Sequence, residues 1–452
     1  MRKVLVVLLS VMMFMSIAAG CAKGGNQTTE PAASGNAAEN GGKTNSGDKT
    51  EVSFMVVSTW ADDLQALATK FEEQNPNIKI NFVSLPFRQM LEGIEVQMNS
   101  KKPSFDVFMV DGPLVSNYTV KGFLEPLDSY FSNDEKAKWV DASLQAGTYD
   151  GKFMAAPVNT STDVLYYNKD IFAEKGIDLP AQDPDKRMTW EDTVELAKKL
   201  TYDQNGDGQT DVFGFTFRQV GRPYQLLPLA NSLDAEVISK DGFTAQGYTN
   251  SDKMVQAAKF YYDTFNTWKI SPKITADETV EYFATGKAAM MIGSTAYVKM
   301  FTERGVPFGV APFPYFSDNK AATPTGSFHL GISSFSDKKE AAAKFIQFAT
   351  TGEGSKFWFE QRNELPASKE VLHYITTDPK FESFPSNVFR LAAYEAQNTA
   401  VPRPVSPGYL EWESLLTKAY DDMKAGSDPK KALDSAAEQS DRLLKKYESL
   451  KK

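Results

Sequence analysis

Apolar and polar residues change rhythm several times along this chain, and each change predicts an element. Residues 51–58 (EVSFMVVS) form a Val-rich run between polar residues, the pattern of a strand. Leu64, Leu67, Ala68 and Phe71 then fall at i, i+3, i+4 and i+7, one face of a helix. Asn75-Pro76-Asn77 ends it. Residues 78–83 alternate as a second strand, and Met90, Ile94 and Met98 mark a second helix. Residues 105–110 (FDVFMV) are nearly all apolar, as expected of a strand covered by helices on both faces. Strand, helix, strand, helix, strand predicts a parallel α/β sheet. Further on, Thr189-Trp190-Glu191-Asp192 fits a capping box opening a helix through Leu200. Residues 288–292 and 308–312 are short apolar runs. Asp337 with Glu340 is expected to cap a helix running to about Thr351. Asp428-Pro429 starts a last helix, with Leu433, Ala436, Ala437, Leu443, Leu444 and Tyr447 as its buried stripe.

The first fifty residues follow other rules. Met1-Arg2-Lys3 precedes an apolar run over 4–19, a secretory signal to be set aside from the fold (1–20). The run ends in Ala18-Ala19-Gly20-Cys21, which resembles the lipobox of bacterial lipoproteins, with Ala18 where that family prefers Leu. The resemblance implies cleavage before Cys21 and a diacylglyceryl group on its sulfur. Residues 22–50 contain no Val, Ile, Leu, Met, Phe, Trp or Tyr, so they cannot bury enough surface to offset the entropy of ordering. Residues 21–50 therefore read as a lipidated cysteine and a flexible leash averaging about 30 Å end to end. The expected location is the outer face of the cell membrane.

Composition narrows the chemistry. About 400 residues remain after the leash, enough for two domains. A net charge of −9 argues against nucleic acid as a partner. A single cysteine allows no internal disulfide, and His329 and His373 are too few for a His-rich metal site. Neither a GxxxxGK[ST] loop nor a GxGxxG fingerprint is present. In parallel sheets, ligands bind beyond the carboxyl ends of the strands. Ser58-Thr59-Trp60 and Asp111-Gly112-Pro113 occupy those positions, so Trp60 and Asp111 are candidate contacts. Asp62 reads either as a contact or as a cap of the following helix.

Several ordered segments carry a resemblance to the extracellular solute-binding proteins of ABC importers, in the carbohydrate-binding branch that includes maltose-binding protein. They are FDVFMVDGPLVSNYTVKGFLEPLD, DGKFMAAPVNTSTDVLYYNKDIF, TWEDTVELAKKLT, FATGKAAMMIGSTAY, GVAPFP and HLGISSFSDKKEAAAKFIQFATTGEGSKFW, in the family's order across residues 51–452. The resemblance implies a type II periplasmic-binding-protein-like fold, with two α/β lobes joined by a hinge that the chain crosses three times. It places one lobe at 51–157 plus 308–333 and the other at 158–307 plus 334–452. It implies a non-enzymatic monomer that closes on a carbohydrate, in expectation an oligosaccharide, and docks on a membrane permease. The alternatives are a secreted glycoside hydrolase, which needs two carboxylates flanking a glycosidic bond, and a lipoprotein that presents its ligand to a receptor.

Sugars are held by aromatic faces and by polar groups that pair with hydroxyls. On the expected hinge crossing these are Asn159 and Asp163. Tyr166 and Tyr167 are strand neighbours facing opposite ways, so only one could reach a cleft. In the second lobe the candidates are Tyr224 after Arg222-Pro223, Trp268, Ser294, Tyr297 and Tyr409 after Arg403-Pro404, and Phe328 is a further candidate near the third hinge strand. Thr295 stands where the family often carries a tryptophan, so the family's ligand preference does not transfer. Separately, Asp203, Asn205, Asp207, Gln209 and Asp211 follow the EF-hand order of oxygen ligands, with Gly206 at the sixth position. Gly214 replaces the bidentate Glu of the twelfth. The expectation is a structural Ca²⁺; a plain Asn-Gly-Asp-Gly turn is the other reading. The expected result of mass analysis on the membrane fraction is a chain beginning at Cys21 with a diacylglyceryl adduct. A mature chain without it would remove the tether.

Overall fold

The computed structural model describes residues 49–218 and 222–449. The expected signal, Cys21 and nearly all of the leash lie outside them. Two sheets organise the described chain. The first runs in the order Ile78–Leu85, Thr50–Val57, Val107–Asp111, Phe328–Ile332, Ala156–Pro157. Its first three strands are parallel, and Phe328–Ile332 runs against both neighbours. Helices Ala61–Gln74 and Phe87–Asn99 bury the residues expected of them: Leu64, Leu67, Ala68 and Phe71, then Met90, Ile94 and Met98. Val107–Asp111 is buried throughout, as its apolar run requires.

The second sheet runs Phe308–Ala311, Asp163–Asn168, Met290–Ser294, Thr216–Phe217. Asp163–Asn168 lies antiparallel to both its neighbours. Both faces are covered. Trp190, Phe215, Phe217, Phe313, Trp412 and Leu433 belong to the core on one side. Tyr166, Phe283, Phe301, Phe308, Val388 and Leu391 pack on the other.

The two α/β lobes are joined by three passages of the chain. Residues 158–162 lead from the first sheet to the second, and 312–327 lead back. The third passage leaves helix Gly352–Arg362 on the first core and reaches helix Tyr409–Ala425 on the second. Thr323–Pro324 and Ala400–Val401 pair in parallel and bind the later two passages together.

The lobe boundaries differ from expectation in two places. Phe308–Ala311 pairs with the second sheet, not the first, and Phe308 packs 5.7 Å from Tyr166. Helices Lys339–Thr350 and Gly352–Arg362 pack on the first core, not the second. Phe345 sits 5.9 Å from Phe54 and 5.3 Å from Phe71, and Trp358 lies 4.5 Å from Trp60. Caps follow the same mixed pattern. Thr189 Oγ1 accepts from Asp192 N at 3.0 Å, and Asp428 Oδ1 accepts from Lys431 N at 2.9 Å, both as expected. Helix Lys339–Thr350 has no side-chain cap at its first turn. Leu443 falls outside the buried stripe of the last helix and is exposed.

Trp190 anchors the second core, with Phe215, Phe217, Phe260 and Phe313 at 5.3 to 5.9 Å around a fully buried indole. Trp190→Ala is expected to lower the unfolding free energy by about 3–5 kcal/mol, because these rings cannot collapse into the space left. Urea unfolding checks this, and a loss under about 1 kcal/mol would contradict the packing described.

Candidate functional site

The ends of both sheets meet at a cavity of about 210 Å³ between the lobes. Each wall residue owes its place to a chain turn. Trp60 lies in the single turn Ser58–Trp60 that follows the first strand. Asp111 is the last residue of Val107–Asp111, and Ser294 the last of Met290–Ser294. Asn159, Thr160 and Ser161 lie on the first passage, with Gly326, Ser327 and Phe328 beside them on the second. Gly326 allows that approach, since a Cβ there would sit 3.1 Å from Ser161 Oγ and 3.4 Å from the Tyr224 hydroxyl.

The aromatic side of the cavity is held rigidly. Phe328 meets Trp60 edge-on at 5.1 Å. The Arg362 guanidinium lies 5.1 Å from the Trp60 and Trp358 rings alike. It donates to Asp63 at 2.5 Å, to Glu364 at 2.7 Å and to the Thr59 carbonyl at 3.0 Å. Neutral polar groups are held too. Asn159 Oδ1 accepts from Phe328 N at 2.8 Å, Ser161 Oγ accepts from Gly326 N at 2.9 Å, and the Thr160 and Thr325 hydroxyls are 2.8 Å apart.

One charged cluster crosses between the lobes. Asp111, at the end of a first-sheet strand, is 3% exposed. It accepts from Arg222 Nη2 at 2.8 Å, from Arg403 Nη1 at 3.2 Å and also from Arg403 Nη2. Both arginines belong to segments that lead into helices of the second core. Arg222 also donates to Glu413, through Nε at 3.3 Å, and Glu413 accepts from the Tyr409 hydroxyl at 2.8 Å. The Tyr224 ring sits 5.0 Å from the Arg403 guanidinium and 5.6 Å from that of Arg222. Burial pushes the Asp111 carboxyl up, but the Arg403 and Arg222 charges outweigh it and hold it down to about 2. Below it, His329 is completely buried and placed 2.9 Å from the Ser143 carbonyl through Nε2. Burial drives its imidazole down to about 4, so it is neutral at physiological pH.

Of the residues singled out in the sequence, Trp60, Asp111, Asn159, Tyr224, Ser294 and Phe328 line this cavity. Six do not. Asp62 is exposed in the first turn of its helix. Tyr166 is buried among Phe283, Phe301 and Phe308, because both faces of its sheet are covered. Trp268 packs on Phe260 at 5.3 Å in the second core. Tyr409 is 1% exposed and supports Glu413 from behind. Asp163 is 3% exposed, Tyr297 lies 5.3 Å from the Arg218 guanidinium, and neither lines the cavity. The expectation passed over Arg222, Arg403, Arg362 and Glu364. The two Arg-Pro pairs ahead of Tyr224 and Tyr409 were the available signal.

The loop expected to hold calcium closes on itself. Asp203 accepts from Gly206 N and Gly208 N, both at 2.7 Å. Asn205 accepts from Asp207 N at 2.9 Å, Asp207 from Gln209 N at 2.8 Å, and Asp211 from Gln204 N at 2.9 Å. Among the described residues no group of three or more His, Cys, Asp or Glu side chains is gathered as metal ligands. These oxygens are engaged as turn acceptors.

Two α/β lobes enclosing a polar and aromatic cavity, with one charged cluster joining them, define a protein that closes around a small solute. The chain belongs to the bacterial extracellular solute-binding protein family, whose model matches residues 58–356. It is 26% identical over 412 residues to the galactooligosaccharide-binding protein of Bacillus subtilis, covering 88% of this chain and 91% of that one. It is 25% identical over 430 residues to the sn-glycerol-3-phosphate-binding periplasmic protein of Escherichia coli, covering 85% and 90%. Its structure is similar to an ABC substrate-binding protein of Listeria monocytogenes in complex with cycloalternan, with a TM-score of 0.73, 25% identity and coverage of 88% of this chain and all of that one.

Asp111→Ala leaves two guanidinium groups without their buried partner. The expected loss of unfolding free energy is about 3–5 kcal/mol, measured by urea unfolding near neutral pH. Because the Asp111 pKa is lowered on folding, its contribution is present above the ordinary carboxylate range and is lost as pH falls towards about 2. The gap between wild type and variant should therefore narrow in acid. An equal gap at both pH values would contradict the ion-pair account.

Proposed function

We propose that this protein captures an uncharged carbohydrate, an oligosaccharide, in the interlobe cavity and delivers it to the permease of an ABC importer. The observation that carries the reading is the charge pairing of the cavity. Arg222 and Arg403 are neutralised by Asp111 and Glu413, and Arg362 by Asp63 and Glu364. A phosphate or carboxylate ligand would have to break these contacts to reach a guanidinium. A polyol has no such need. It meets ring surface at Trp60, Phe328 and Tyr224, and neutral polar groups at Asn159, Ser294 and Thr295. The galactooligosaccharide-binding relative supports this class over the glycerol-phosphate one.

The protein acts as a monomer on the outer face of the cell membrane, tethered by acyl chains on Cys21 and the leash behind it. Among the described residues no helix is long and apolar enough to cross a membrane, which suits a tethered protein. It is not an enzyme in this reading. A glycoside hydrolase needs two carboxyl groups facing its substrate, one of them able to give up a proton. Asp111 is locked to two arginines, Glu364 to Arg362, and Asp163 is buried and does not line the cavity. Structural calcium on the 203–211 loop would require its oxygens to exchange turn bonds for the ion. A calcium-dependent rise in Tm that chelator reverses supports the ion, and its absence excludes it.

A thermal-shift screen tests the ligand class. A neutral oligosaccharide at 100 times its Kd is expected to stabilise the fold by about 2.7 kcal/mol. A shift with sn-glycerol 3-phosphate and none with neutral sugars would overturn the reading.

A further inference from the structure

We propose that the end of the first lobe where the leash enters is a lipid-facing surface, on which Val96 and Phe335 seat in the headgroup layer while Lys101 and Lys102 meet anionic phosphates. The proposal rests on the tether at Cys21 and adds a posture to it. The leash leads into strand Thr50–Val57, whose far end delivers Trp60 to the cavity. The chain therefore enters at the end of the first sheet opposite the cavity. Strand Ile78–Leu85 is parallel and begins at the same end, where Thr50 N donates to the Asn77 carbonyl at 2.8 Å. Helix Phe87–Asn99 connects strands that run the same way, so it must run back and finish its last turn there. A leash averaging about 30 Å keeps this end of the molecule near the bilayer.

The side chains exposed at this end fit a membrane surface. Val96, in the last turn of that helix, is 71% exposed, and Phe335 is 41% exposed. Asp106 ties the Phe335 loop to the strand the leash enters. Its carboxylate accepts from Ser53 N at 2.9 Å and from Ser336 Oγ at 2.8 Å, and its carbonyl accepts from Ser333 N at 2.8 Å. Ser333 Oγ lies 3.6 Å from Met98 Sδ, which sets the loop against the same helix turn. Lys101 and Lys102 follow that turn directly; both are exposed, and neither makes an ion pair among the described residues. Lys49, at the point of entry, is exposed as well. The exposed acids at this end are Glu51, Glu73, Glu92 and Asp337. Attraction to anionic lipid therefore comes from the placement of the lysines beside the two apolar side chains, not from net charge. Apolar residues flanked by lysines suit the headgroup boundary, where the rings and methyls leave water and the ammonium groups stay in it. In this posture the cavity points away from the bilayer to collect solute, and the leash lets the molecule turn over to deliver it.

The test uses the full acylated chain reconstituted in vesicles. Cys21 is the only cysteine, so Val96→Cys supplies one free thiol for an environment-sensitive fluorophore, and Leu443→Cys, 42% exposed on the last helix of the second lobe, is the control. Quenching by spin-labelled lipid is read in vesicles of phosphatidylglycerol mixed with phosphatidylcholine and in pure phosphatidylcholine. The expected result is quenching and a blue shift at position 96 but not at 443, in the anionic vesicles only. Adding Lys101→Gln and Lys102→Gln should lower the ratio of quenched to unquenched label by about tenfold or more, with Tm unchanged. A label at 96 as accessible as the one at 443 would overturn the surface and leave the tether in place. Protection at 96 in native membranes but not in lipid vesicles would assign the face to a membrane protein and overturn the lipid contact. Protein that fails to float with either vesicle would overturn the tether and the proposal together.

Discussion

A single carboxylate, Asp111, holds the two halves of this protein in register. It closes a strand of the first sheet and accepts hydrogen bonds from two arginines anchored in the second lobe. Taking Asp111 and Arg403 out of water is costly, and the mutual attraction repays that cost only when the geometry is good and the remaining hydrogen bonds are filled. Here they are filled. Glu413 takes up the second side of Arg222, and Tyr409 orients Glu413. The cavity, the placement of Tyr224 and the charge balance of the site all follow from this cluster. It also makes contact between the lobes an internal property of the chain, to which a bound ligand adds.

The same pairing explains why the cavity suits a neutral polyol. Arginines are the usual means of holding phosphate or carboxylate. In this cleft they are present but occupied, and their role is to bind one lobe to the other. What is left for recognition is ring surface, hydroxyls and amides. Arg362 repeats the theme, its guanidinium packed against Trp60 and Trp358 and held by the carboxylates of Asp63 and Glu364.

Much of the fold was legible because local rhythm reports local burial. The helix faces at Leu64 and Met90 and the buried strand ending at Asp111 came straight from spacing. Strand ends also located Trp60 and Asp111. The ion pairs were illegible, because residues 111, 222 and 403 share no local pattern and meet only in three dimensions. Lobe membership failed at 334–362 for a related reason. An amphipathic helix declares that one face is buried but not which sheet buries it, and Phe345 had no sequence neighbour to reveal Phe54. Tyr166 was misread because alternation assumes that one face of a strand is open, and this sheet is covered on both.

The most direct test is a crystal structure of the protein with a neutral oligosaccharide bound. The account predicts sugar rings against Trp60, Phe328 and Tyr224, with Asp111 still bonded to Arg403. A ligand seated on Arg222 and Arg403, with Asp111 released from both, would contradict it.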